Sequence, residues 1–262
     1  MNFIKKLVSF VSVLAVSSMS FAQDKTEDCC APFKINFHEQ VSILNFENDT
    51  ISEYRTNLDV ALTERVSIAV GLPIYNDGNP ASSAEEIAWQ LNNGTFGEGG
   101  TGVGDIDVSV KYGRAFNALG LDFDVVAGGK VPLDGQFSSS DVTFFGGVVF
   151  GIRKDRVNFD QSLKYFIVDD YTYTPYLGGF VDDNIFEAIS TLSYDVCKNA
   201  SVGCMVIQNY SDGQRSVFVG PCVEYAVDNN IHLNGGFGFA VVDDIRFDSA
   251  NNVVTAGLSF KF

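Results

Sequence analysis

The sequence predicts an all-β chain: a transmembrane antiparallel up-and-down β-barrel of about twelve strands. Three observations carry this reading. Apolar and polar residues alternate with period two along most of the chain. The alternating runs are about ten residues long, the length of a tilted strand crossing a bilayer. Short links between them alternate with longer ones, the asymmetry of periplasmic turns and external loops in outer-membrane barrels.

The N-terminus reads as an export signal. Lys5 and Lys6 supply a positive start, Leu7 to Val16 a short apolar stretch, and Ser20-Phe21-Ala22 a small-x-small cleavage pattern. Residues 1–22 are therefore expected to be a signal peptide, 23–32 a polar periplasmic arm and 33–262 the barrel, delivered to the bacterial outer membrane through the secretory pathway. Removing the signal takes away Lys5 and Lys6 but no acid, so 17 basic residues fall to 15 against 33 acidic ones, a net charge of −18. Such a surface excludes nucleic acid as an electrostatic partner. The 5 cysteines include Cys29-Cys30 in the polar arm and scattered Cys197, Cys204 and Cys222. No metal-ligand spacing appears among them, and only His38 and His232 are available as basic partners.

Strands are expected at roughly 33–45, 53–63, 65–76, 103–116, 119–132, 142–154, 157–168, 185–196, 200–210, 215–227, 231–243 and 253–262. In the last of these, Val254, Ala256, Leu258, Phe260 and Phe262 share one face and Thr255, Gly257, Ser259 and Lys261 the other. A strand turns its side chains by half a revolution per residue, so one face suits hydrocarbon and the other a wet lumen. Short turns are expected around 63–65, 117–118, 154–156, 197–199 and 228–230. Longer links are expected at 46–52, 77–102, 133–141, 169–184, 211–214 and 244–252. An even strand count puts both termini on the periplasmic side. The ending on Phe260 and Phe262 is similar to the signal by which the barrel-assembly machinery recognises its clients, so that machinery and outer-membrane lipid are the expected partners.

Asn57 to Tyr75 reads NLDVALTERVSIAVGLPIY. Gly102-Val103-Gly104-Asp105-Ile106 follows and runs on to Lys111-Tyr112, and then comes Lys130-Val131-Pro132. This order over residues 54–132 resembles the outer-membrane transporter family named for the meta pathway of phenol degradation, with its "GLP", "GxGD", "KY" and "K-x-P" elements. The resemblance implies an outer-membrane channel for small molecules, hydrophobic or aromatic ones among them. Beyond residue 132 only the strand rhythm continues.

Inward-facing charges are expected at Asp105, Asp107, Lys111, Asp122, Asp124, Lys130, Asp160, Lys164, Glu187 and Glu224. Opposed rows of charge either set the ion preference of a pore or close a narrow barrel through salt bridges. In the loops, Ser83-Ala84-Glu85-Glu86 is a capping-box pattern before Trp89, which is read as a helix on the barrel rim or as a constriction facing solute. Tyr171, Tyr173 and Tyr176 are read as part of the interfacial aromatic girdle, with a solute-capturing mouth as the alternative. The letters of Gly97 to Gly102 match a dinucleotide motif, but a strand rather than a helix follows, so the segment is read as a loop.

The expected function is passive passage of small molecules by a monomer, with no cofactor, metal or catalytic set. The alternatives are a structural or adhesive barrel with a plugged lumen and a lipid-modifying enzyme. The enzyme needs serine, histidine and an acid or amide on the lipid face, whereas parity puts both histidines inside.

Overall fold

The structure is a computed structural model that describes residues 34–46, 50–63, 65–77, 101–116, 121–133, 137–139, 141–244 and 250–262. The expected signal peptide, the N-terminal arm and Trp89 lie outside the described residues. The strands are β1 (Lys34–Phe46), β2 (Thr50–Ala61), β3 (Val66–Asp77), β4 (Thr101–Val103), β5 (Ile106–Phe116), β6 (Leu121–Val131), β7 (Thr143–Lys154) and β8 (Val157–Ile167). They continue with β9 (Thr172–Thr174), β10 (Gly179–Val181), β11 (Ile185–Cys197), β12 (Ala200–Ser211), β13 (Gln214–Ala226), β14 (Ile231–Asp244) and β15 (Ala250–Lys261).

Each long strand pairs antiparallel with its neighbours in sequence, and β1 closes the ring by pairing with both β2 and β15. β4 and β5 both pair with β3 and form one strand interrupted at Gly104-Asp105, so the ring is a closed twelve-stranded antiparallel barrel. Closure removes free edges, which hydrocarbon does not tolerate. The chain ends meet on one side, where Ile35 and Phe262 exchange backbone hydrogen bonds of 3.2 and 2.8 Å.

Local chemistry fixes the turns on that side. Thr63 Oγ1 accepts from the N–H groups of Arg65 and Val66 at 3.2 and 3.0 Å. Asp228 Oδ1 accepts from those of Asn230 and Ile231 at 2.7 and 2.8 Å. These side chains take up donors that leave the sheet ladder. On the opposite side, the link expected at 211–214 is as tight as these turns. Ser211 pairs with Gln214 across Asp212-Gly213, where Gly213 takes φ of 68° without steric cost. The alternation of short and long links is therefore not strict.

Alternation is kept around the ring. Val70, Val108, Val125, Ile152, Leu192, Val223 and Phe239 point outward and are exposed. That is the expected apolar band. The element absent from the sequence reading is the β9–β10 hairpin. Pro175–Leu177 forms one 3-10 turn between its strands, and Gly178 ends the turn in the left-handed conformation at φ 76°. This hairpin lies in the 168–184 link after β8, yet Thr172, Tyr173, Thr174, Pro175, Leu177 and Val181 are buried.

Candidate functional site

The lumen has two halves of different character. At the end away from the chain termini, Leu44, Phe46, Ile51, Met205, Ile207, Phe218 and Val253 form a buried apolar cluster, with Tyr176 packed against it. A second cluster joins Val126, Phe145 and Phe166 of the wall to Leu177 and Val181 of the hairpin, together with Ile185. The hairpin thus reaches both clusters from inside the barrel. Leu44, Phe218 and Val253 have no accessible surface. Nearer the chain ends, the side chains of Arg153, Asp160 and Glu224 keep 48%, 47% and 58% of theirs. Among the described residues the lumen is dry at the far end and open near the chain ends.

Tyr173 packs against Tyr75 and Phe137, with ring centroids 4.6 and 4.9 Å apart. Tyr176 lies 6.4 Å from Phe218, and its backbone oxygen accepts the Ser216 hydroxyl at 2.6 Å. Tyr173 and Tyr176 are therefore neither an interfacial girdle nor an open mouth. The girdle expectation assumed a loop that stays outside, whereas the inward fold buries Tyr173 and half-buries Tyr176. Tyr171, half-buried, leads into the hairpin.

Asp105 anchors this arrangement. It is buried, and its carboxylate accepts from the Ser138 hydroxyl at 2.7 Å, from the Ser139 N–H at 2.8 Å and from the Ser139 hydroxyl. Ser139 Oγ is also 2.9 Å from Thr172 Oγ1, where the hairpin begins. Asp105 is thus covered by residues 137–139 and does not line an open path.

The short motifs around Asp105 have a steric reason. Gly104 donates its N–H to Pro73 O at 3.0 Å, and a Cβ there would sit 2.5 Å from the Tyr75 ring. The "GLP" and "GxGD" elements are where β3 and the β4–β5 break press together beneath Tyr75.

The other expected charges lie at strand positions of opposite parity to the exposed apolar residues, and most are paired. Asp107 binds Arg55, whose Nε donates to Glu53 at 2.7 Å. Lys111 binds Asp59 at 2.8 Å, Arg153 binds Asp160 at 2.7 Å and Lys164 lies 3.4 Å from Glu187. The ammonium groups of Lys130 and Lys164 lie over the rings of Phe166 and Phe145, at 5.0 and 5.9 Å. Glu224 meets His232 at 3.2 Å. Asp122 and Asp124 lie two residues apart on β6, and Asp124 feels the charges of both Asp122 and Lys111, the latter on the neighbouring strand. The charges include both expected forms: salt bridges across strands, and an excess of acid in the wet half.

The sequence reading missed Glu53, Arg55, Asp59 and Tyr75. The signal was present, because Glu53, Arg55, Asn57 and Asp59 alternate along β2 as regularly as any chosen set. It also missed Ser138, Ser139 and the hairpin, for which no periodicity exists. His38 Nδ1 meets Ser259 Oγ at 2.6 Å inside the lumen, at directly paired positions of β1 and β15. This is a cross-strand bond within the lumen, not a relay on the lipid face. Cys197, Cys204 and Cys222 are free thiols. Phe260 packs on Phe37 at 6.2 Å and stacks with Phe262 at 6.3 Å on the outer face.

No protein family and no curated protein matches the sequence. Solved structures do match in shape. The COG4313 outer membrane channel from Pseudomonas putida F1 superposes with a TM-score of 0.62 at 12% identity, over 91% of this chain and 99% of that one. The NanC porin gives 0.57 at 10%, over 86% and 100%, and the KdgM porin 0.52 at 10%, over 87% and 99%. At these identities the likeness is one of architecture: the chain has the fold of outer-membrane channels and porins.

Proposed function

We propose that this chain is an outer-membrane channel for passive movement of small molecules, and that the β9–β10 hairpin is its external gate. The division of the lumen carries the reading. A barrel serving only as a scaffold has no need of an acid-rich wet chamber ending on a dry seal. The seal is made by a loop element lying across the bore. A dry apolar segment stops water and ions by dewetting and is least hostile to solutes with apolar surface. Hydrophobic or aromatic molecules are therefore the proposed solute class, in keeping with the resemblance over residues 54–132.

Residues 1–22 are proposed to direct export and to be removed, and the closing Phe260 and Phe262 to engage the barrel-assembly machinery. Asp107, Lys111, Asp122, Asp124, Asp160 and Glu224 are proposed to line the inner chamber, with Lys130, Lys164 and Glu187 at its junction with the seal.

The test is conductance of the refolded protein in a planar bilayer, together with uptake of small aromatic solutes by proteoliposomes. Intermittent openings and solute entry are expected. A silent bilayer and impermeant liposomes, in the parent and after deletion of residues 172–181 alike, would favour a permanently plugged structural barrel.

A further inference from the structure

The wall beneath the β9–β10 hairpin holds a polar side chain that the hairpin leaves unmatched. Buried inward positions of β12 read Met205, Ile207 and Asn209, and those of β13 read Ser216 and Phe218. Strand register sets Ile207 beside Phe218 and Asn209 beside Ser216. These side chains form one patch near the end of the barrel away from the chain termini, and Asn209 within it is only 1% exposed.

The Pro175–Leu177 turn lies against β12 and β13 and covers this patch. Tyr176 packs 6.4 Å from Phe218 and against the cluster that includes Ile207. Its carbonyl accepts the Ser216 hydroxyl at 2.6 Å. Asn209 gains nothing comparable. Among the described residues, neither its amide nitrogen nor its amide oxygen has a hydrogen-bond partner. The residues beside it are engaged elsewhere: Ser216 with Tyr176, and Glu187, its partner on β11, with Lys164 at 3.4 Å. An amide buried without partners disfavours the closed arrangement, whereas a leucine of similar volume would not.

We propose that Asn209 is the recognition residue of a solute site that the turn closes, and that this site takes a small neutral molecule with a hydroxyl or carboxamide on an apolar body. The inference rests on the channel reading, with the hairpin as gate. A primary amide presents donor and acceptor side by side, so it is matched by a group that both gives and takes a hydrogen bond. Ile207 and Phe218 offer the apolar body a dry surface once Tyr176 withdraws. Glu187 is already met by Lys164, so a charged solute would shed its water for no partner. Because the solute reaches Asn209 only when the turn is away, its binding shifts the hairpin toward the open state.

The test is hydrogen exchange over residues 172–181 in the full chain refolded into lipid nanodiscs. The probes are benzyl alcohol and toluene, which share a ring and differ in the hydroxyl. In the parent, benzyl alcohol should speed exchange of the hairpin severalfold, and toluene should leave it nearly unchanged. Asn209→Leu should slow exchange without solute by about tenfold, since the closed state no longer buries an unpaired amide, and should remove the response to benzyl alcohol. Heat-modifiable gel mobility checks that the variant folds, and Asn209→Ala, which cannot overfill the site, repeats the solute comparison. Equal acceleration by both solutes, a response that survives in the variants, or the same basal exchange in Asn209→Leu and the parent would each overturn the proposal. Exchange is read at the turn and not as current, so a protein that conducts but fails these comparisons loses this site alone.

Discussion

Asp105 on the barrel wall holds Ser139 by two bonds, from its backbone N–H at 2.8 Å and from its hydroxyl, and Ser139 in turn meets Thr172 at 2.9 Å. One wall carboxylate thereby ties two separate loop segments into the external end of the lumen. Asp105→Ala leaves those donors without their acceptor. A charged, buried set of this kind is worth about 2 kcal/mol or more, so the open state should gain roughly 30-fold in population. Single-channel open probability measures this, and an unchanged value would show that the apolar clusters alone hold the hairpin.

The same contact offers a reversible lock. In a background without native cysteines, Ser139→Cys with Thr172→Cys should form a disulfide across the 2.9 Å oxygen contact. Oxidation should abolish openings and reductant should restore them. Openings that persist while gel analysis shows the bond formed would mean that solute passes by another route.

Ion preference should follow the wet half. Asp122 and Asp124 are proposed to line the chamber, with Lys111 beside Asp124 alone, so small cations are expected to pass more readily than anions. Asp122→Asn with Asp124→Asn should move the reversal potential under a salt gradient toward zero. The effect should shrink in 1 M salt, where screening acts over about 3 Å. Asp107 is less suitable for this test, because its loss also frees Arg55.

Face assignment predicts a contrast in folding stability. Val108→Arg places a charge on the exposed apolar band and should cost about 2–4 kcal/mol near the midplane. Asp122→Arg places it in the wet lumen and should cost well under half as much. Urea unfolding in lipid vesicles compares them, and equal costs would contradict the parity.

Topology places the Asp212-Gly213 turn opposite the chain ends and Asp155 on their side. A small tag at Asp212 should be labelled on intact cells, whereas one at Asp155 should be reached only after the outer membrane is breached. The reverse pattern would invert the barrel.

By itself the sequence determined the barrel. Alternation along each strand is a local property, and hydrocarbon outside with water inside enforces it at every position, so the twelve crossings were legible. Which charges pair was not, because Arg55 meets Asp107 from 52 residues away through strand register. The hairpin was least legible of all. Tyr173, Tyr176 and Leu177 carry no period and read equally well as a rim loop. Only the closed ring decides their place, because it brings Tyr75, Phe145 and Phe218 of distant strands around one bore, where burying the hairpin's apolar side chains outweighs leaving them in water.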